Sequence, residues 1–211
     1  MSENNFRSPK KKGKIAVFLS GRGSNFLAIH DAILAGTIHA EIVLVFSNKK
    51  EAPGLQIAEE RNLETLHLNP KNYAPREDYE KAIIEELKKR DIDLICLAGY
   101  MKILSPLLCK EFLNKIINIH PALLPSFAGL HVQQGAIDWG VRFSGATVHF
   151  VTPDVDMGPI ILQAVVPVLQ DDTEDTLSKR ILKEEHKIYP ESVKLYFEGK
   201  LEIKGRRVSI L

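Results

Sequence analysis

Apolar positions along this chain fall into two rhythms. Continuous apolar runs at 14–20, 40–46, 64–68, 93–98 and 115–119, bounded by turn-forming residues, read as buried strands. Between them, apolar residues recur at three- and four-residue spacing over 24–35, 53–61 and 76–90, the signature of helices with one buried face. Ser24 is read as the cap of the first helix and Gly36 as its stop, and Pro53 opens the second. Ser105-Pro106 starts another, a capping residue followed by proline in the first turn. Strands alternating with helices predict an α/β fold with a mostly parallel, doubly wound sheet.

The pattern changes after Pro125. Residues 134–139 read as a short helix, and 145–151 and 160–168 as consecutive strands. The short connection between those strands makes them antiparallel, so the sheet is mixed. Residues 175–197 form a long amphipathic helix. No compositional break divides the chain, so 14–211 is read as a single domain. A polar stretch, 1–13, carries Lys10-Lys11-Lys12 and is expected to be a flexible, solvated basic tail.

Composition narrows the function more than the fold. The chain has 211 residues, 45% of them hydrophobic, enough to bury a core in one α/β domain. Its net charge of +1 gives no basic field to attract nucleic acid. No apolar run reaches the ~18 residues of a membrane span, and no signal-peptide core is present. Two cysteines, Cys96 and Cys109, fit a reducing compartment, so a cytoplasmic location is expected. No histidine or cysteine spacing matches a metal site.

Two stretches carry candidate chemistry. Asn118-Ile119-His120-Pro121-Ala122-Leu123-Leu124-Pro125 follows the apolar pair Ile116-Ile117. Residues two apart on a strand share a face, so Asn118 and His120 project together from a strand end, where open α/β sheets place their ligand crevices. With Asp156 they would supply an amide donor, an imidazole and a carboxylate, a set suited to acyl transfer. By itself Asn-x-His is far more often a turn or a satisfied polar pair than a catalytic site. The second stretch, Ser20-Gly21-Arg22-Gly23-Ser24-Asn25, joins a strand to a helix and can offer backbone N–H groups to an anion. Phe26 stands where a dinucleotide loop has its third glycine, and no Gly-Lys-Ser/Thr follows, which leaves a phosphate monoester or an ordinary glycine turn. His149, on an apolar strand, reads as a satisfied structural histidine, while His131 is a candidate to line the site.

Several strings together carry a resemblance: Asn118 through Pro125, Gly129-Leu130-His131, Thr147-Val148-His149-Phe150-Val151, and Asp156-x-Gly158-Pro159-Ile160-Ile161-x-Gln163. Over about 14–198 the sequence resembles the folate-dependent formyltransferases, most closely those acting on glycinamide ribonucleotide. The resemblance implies a Rossmann-like formyltransferase fold with an antiparallel C-terminal portion. It implies a ribonucleotide-binding half at about 14–115 and a catalytic, folate-binding half at about 100–200. It further implies formyl transfer from 10-formyltetrahydrofolate, as co-substrate and without a metal, to the amine of glycinamide ribonucleotide in purine synthesis. Asn118, His120 and Asp156 would be catalytic. Gly23, Ser24 and Asn25 would hold the phosphate, and Glu185 the ribose hydroxyls. Met101, Lys102, Ile103 and Leu104 would line the folate pocket, with Arg76 beside it, and a cis peptide would precede Pro125. The implied partners are these two small molecules, with no nucleic acid and no membrane, in a monomer or homodimer. Ala122 stands where serine is common. Met157 stands where small residues are common, and is expected to crowd the folate end.

Sister activities share the Asn-x-His and Asp set. A tRNA formyltransferase is expected to need a further C-terminal domain and a basic surface. A formyltetrahydrofolate hydrolase usually carries an N-terminal regulatory domain, where about thirteen residues precede the first strand here. A nucleotide-binding relative without catalysis is the third alternative.

Overall fold

The computed structural model describes residues 11–211. The first ten positions of the expected basic tail lie outside the described residues, and Gly13 already belongs to the first strand. The elements are β1 (Gly13–Leu19), α1 (Ser24–Leu34), β2 (Ala40–Ser47), α2 (Pro53–Glu60), β3 (Thr65–His67), α3 (Arg76–Lys89), β4 (Leu94–Leu97), α4 (Pro106–Glu111), β5 (Ile116–His120), α5 (Val132–Asp138), β6 (Phe143–Phe150), β7 (Ile160–Pro167), α6 (Glu174–Phe197), β8 (Leu201–Lys204) and β9 (Arg207–Ile210). They build one nine-stranded sheet in the order β3-β2-β1-β4-β5-β6-β7-β9-β8. Strands β1 to β5 pair in parallel, and β5-β6 and β6-β7 are antiparallel. The order reverses between β1 and β4, the kind of point at which an open sheet leaves a crevice beyond its strand ends.

Residues of β1 alternate between two cores, one on each face of the sheet. Ile15, Val17 and Leu19 pack with Phe26 and Ile29 of α1, Leu55 of α2, Ala136 of α5, and Leu177 and Ile181 of α6. Ala16 and Phe18 pack with Tyr79 and Ile83 of α3 and Leu108 of α4. Burial on both faces explains why the central strands read as unbroken apolar runs. In α3, Glu77 and Asp78 occupy the first turn and Lys88 and Lys89 the last, matching the helix dipole. Helix α6 starts in a reciprocal cap between Thr173 and Thr176.

Three local expectations are corrected. Ser24 is not the cap of α1: that place belongs to Gly23, in the left-handed region at φ 78°, with no side-chain cap bond. The third strand is shorter than 64–68, and the helix expected at 134–139 begins at Val132. The hairpin of β8 and β9 was not expected at all; its four-residue strands alternate charge with apolar residues and form no run long enough to register.

Tyr189 of α6 is fully buried, with its hydroxyl 3.0 Å from the Leu97 carbonyl and 3.1 Å from that of Ile117. It thereby ties the ends of β4 and β5, the strands that carry the crevice, to the helix behind them. Tyr189→Phe removes the donor and is expected to lower unfolding free energy by about 1–3 kcal/mol, read by urea denaturation. An unchanged midpoint would show that the hydroxyl holds nothing.

Candidate active site

In the antiparallel ladder Asn118 stands opposite His149, and His120 opposite Thr147. Directly opposed residues share a face, so these four side chains meet on one side of the β5-β6 pair. His149 is therefore part of the cluster and not merely a structural histidine. The signal was available in sequence: pairing the two predicted strands antiparallel brings Thr147-x-His149 against Asn118-x-His120.

The bonds settle most of the donor roles. His149 Nδ1 lies 2.9 Å from the Phe150 carbonyl, which can only accept, so Nδ1 carries the hydrogen. Burial holds the His149 pKa below the usual histidine value, which favours the neutral ring. Its bare Nε2 then accepts from Asn118 Nδ2 at 3.2 Å. This orients the Asn118 amide and leaves its second N–H available. His120 Nε2 donates to the Phe127 carbonyl at 2.8 Å, so Nδ1 is the nitrogen left for other work.

Asp156 faces both rings. Its Oδ2 is 3.6 Å from His120 Nδ1 and its Oδ1 3.7 Å from His149 Nε2, with the side chain almost wholly buried. The Gly129 N–H donates to Oδ2 at 2.8 Å. Asp156 sits at φ 55°, a left-handed conformation rare outside glycine but tolerated by aspartate. Two residues on, a Cβ at Gly158 would collide with the Phe150 carbonyl. The Asp-x-Gly spacing is thus a packing requirement: glycine lets the loop press against the end of β6, and the aspartate two positions earlier reaches both imidazoles.

The loop after His120 is anchored from β6 and β7. Thr147 Oγ1 donates to the Ala122 carbonyl at 2.7 Å and accepts from Leu124 N–H at 3.1 Å, while Gln163 Nε2 donates to the Leu124 carbonyl at 3.0 Å. The Leu124–Pro125 peptide is cis, as the resemblance implied, and Ala74–Pro75 is cis as well.

These groups lie in a cleft of about 460 Å³. Asn118, His120, His149 and Asp156 line it together with His131 and with Met101, Lys102, Ile103 and Leu104 from the loop after β4. Met101 and Ile103 are more than 60% exposed, an open apolar wall without a partner. Apolar side chains and a few polar side chains suit a planar heterocycle. Arg76 does not line this cleft. It lies on the far side of the Tyr100 to Leu104 wall, in a neighbouring cleft of about 530 Å³, where it donates to the Ile103 carbonyl and pairs with buried Glu80 at 3.5 Å. Met157 does not line the cleft either, so it does not crowd it.

The glycine loop forms a second centre. Gly23 comes within 3.1 Å of Gly54 Cα when given a Cβ, and its φ of 78° is itself unfavourable for a side chain, so position 23 calls for glycine on both counts. Behind it, Asn25 Nδ2 donates to Glu185 Oε2 at 2.7 Å, and both residues are buried. Asn25 Oδ1 is buried without a partner. Burial pushes the Glu185 pKa up, and the Asn25 bond pulls it partly back. Gly23, Ser24, Asn25 and Glu185 are thus brought together across most of the chain's length. Among the described residues no group of three or more histidines, cysteines or acids could hold a metal ion, and no helix is long and apolar enough to cross a membrane.

A parallel half-sheet, an antiparallel completion and an amide–imidazole–carboxylate cluster in an apolar cleft make a Rossmann-like frame with groups suited to acyl transfer. The chain belongs to the formyl transferase family, whose model matches residues 13–193. It is 44% identical to the phosphoribosylglycinamide formyltransferase of Haemophilus influenzae, over 90% of each chain. It is 45% identical to the trifunctional purine biosynthetic protein adenosine-3 of Drosophila melanogaster, covering 90% of this chain but only 14% of that much longer protein. The structure matches a glycinamide ribonucleotide transformylase 1 from Symbiobacterium toebii with a TM-score of 0.95 and 45% identity over 100% of both chains.

Proposed function

We propose that this chain transfers the formyl group of 10-formyltetrahydrofolate to the primary amine of glycinamide ribonucleotide, a step of purine synthesis, giving formylglycinamide ribonucleotide and tetrahydrofolate. The observation that carries the reading is the meeting of Asn118, His120, His149 and Asp156 at one end of the apolar cleft bounded by Met101 and Ile103. We read residues 14–211 as one formyltransferase domain of a cytoplasmic enzyme, monomeric or homodimeric, with two small-molecule substrates and no nucleic-acid partner.

The folate supplies the formyl carbon and a nitrogen leaving group. Backbone groups and apolar side chains of Met101 to Leu104 hold its ring system, with Lys102 near its solvent side, while Arg76 braces that wall from the neighbouring cleft through the Ile103 carbonyl. The N–H groups of Gly23, Ser24 and Asn25 hold the ribonucleotide phosphate at the start of α1, where the helix dipole favours an anion. Glu185 receives the ribose hydroxyls. Asn118, oriented by His149, directs its free N–H at the formyl oxygen as the amine adds, and His120, in its imidazolium form with the Asp156 carboxylate beside it, directs its Nδ1–H at the same oxygen. Donors preplaced in a water-poor site stabilise that developing charge. Asp156 accepts the proton the amine loses and returns it towards the departing nitrogen, directly or through water.

The test is purified protein with both substrates, following tetrahydrofolate release by absorbance beside an amine-free control. Release that requires the amine supports transfer. Equal release without it would make the protein a hydrolase and overturn this reading.

A further inference from the structure

One hydroxyl joins the loops assigned to the two substrates. Ser20 follows β1 directly, at the start of the glycine loop, and is only 6% exposed. Its Oγ donates to Asn48 Oδ1 at 2.6 Å, at the end of β2. The same oxygen accepts the N–H of Met101 at 2.9 Å, on the wall of the apolar cleft. The Ser20 N–H donates to the Gly99 carbonyl at 3.0 Å, so the two chain segments are stitched at both backbone and side chain. A serine hydroxyl has one hydrogen and two lone pairs. With its hydrogen committed to Asn48, a lone pair faces Met101, and Asn48 therefore fixes the direction of the bond to the cleft wall.

This junction falls at the strand-order reversal between β1 and β4. Met101 itself is 62% exposed, and its N–H bond to Ser20 ties it to the start of the glycine loop. Through these bonds a displacement of the glycine loop would reach Met101 by way of one residue, and the reverse.

We infer that Ser20 is a positioning residue that couples ribonucleotide binding at the glycine loop to folate binding at the Met101–Leu104 wall, with Asn48 setting its hydroxyl. The inference rests on the substrate assignment above. Energetic coupling of this kind is reciprocal: whatever factor one ligand adds to the other's affinity, it receives in return.

Calorimetric titration tests it without turnover. Tetrahydrofolate is titrated into the protein with and without glycinamide ribonucleotide, for the wild type, Ser20→Ala, Ser20→Thr and Asn48→Ala. The wild type is expected to bind tetrahydrofolate about fivefold to tenfold more tightly with the ribonucleotide present, a factor on the scale of one neutral hydrogen bond. Ser20→Ala should reduce that factor to about one, Ser20→Thr should restore most of it, and Asn48→Ala should give an intermediate value. In steady state, Ser20→Ala should raise KM for both substrates with kcat within about threefold of wild type, because β5 and the Asp156 loop are untouched. A general loss of packing would instead lower the melting temperature and kcat together and leave the ratio of the two affinities unchanged. An equal coupling factor in the wild type and Ser20→Ala, or no coupling in the wild type, overturns the inference. If Ser20→Ala does not fold, Asn48→Ala decides alone, and a wild-type factor there overturns it. Absence of amine-dependent transfer by the wild type would be a separate failure, of the substrate assignment itself.

Discussion

Asp156→Asn is expected to lower turnover by about a thousandfold while leaving the melting temperature close to wild type. Asparagine keeps the shape and can still accept the Gly129 N–H, so the loop stays folded. What it lacks is an oxygen able to take up a proton, and the negative charge beside two imidazoles. Asn118→Ala removes the donor oriented by His149 and should cost about a hundredfold to a thousandfold, the range for loss of one oxyanion donor. In both variants kcat carries the loss and KM for the ribonucleotide changes little, since no residue of the glycine loop is altered. Steady-state kinetics with both substrates varied provide the check. Either variant turning over at near wild-type rate would remove that residue from the chemistry.

The second large effect lies outside the polar cluster. Gly158→Ala is expected to cut turnover at least a hundredfold, because misplacing a reacting group by about 1 Å is enough for such a loss. The new methyl would occupy the space of the Phe150 carbonyl, so the loop must lift from β6. The carbonyl of Pro159 receives the Phe150 N–H at 2.9 Å, and that bond is strained by the same movement. Asp156 then moves away from both imidazoles although its own side chain is unchanged. Circular dichroism should report a folded protein, and the assay an inactive one. A Gly158→Ala enzyme with wild-type kcat would mean that the aspartate's position is set by other contacts.

What the sequence discloses follows the range of the interaction that fixes each feature. The central strands were legible because burial on both faces leaves a plain apolar run, and α1, α2, α3 and α6 because their periodicity is local. Gly23 in place of Ser24 at the start of α1 was missed because a left-handed glycine leaves no capping side chain to recognise. The β8-β9 hairpin was missed because strands of four residues with alternating charge carry too little signal. At the site, Asn118 and His120 were legible as a same-face pair, while His149 needed a strand register before its partner appeared. Glu185 with Asn25, and Arg76 behind the Met101 wall, depend on tertiary placement that no local pattern encodes; family resemblance named the residues but not these contacts.

The Asn25–Glu185 bond spans 160 positions of the chain. A ribosome adding roughly 5–20 residues per second needs about ten to thirty seconds to travel that distance. The first five strands emerge well within that interval and can pair locally, leaving the α1 face bare of α6. The ribonucleotide site therefore lacks its carboxylate until Glu185 has emerged. A nascent chain is expected to pair its first five strands early and to gain affinity for a ribonucleotide only after α6 has emerged, so a ribosome stalled before α6 would display a partly built sheet with an apolar flank open to chaperones.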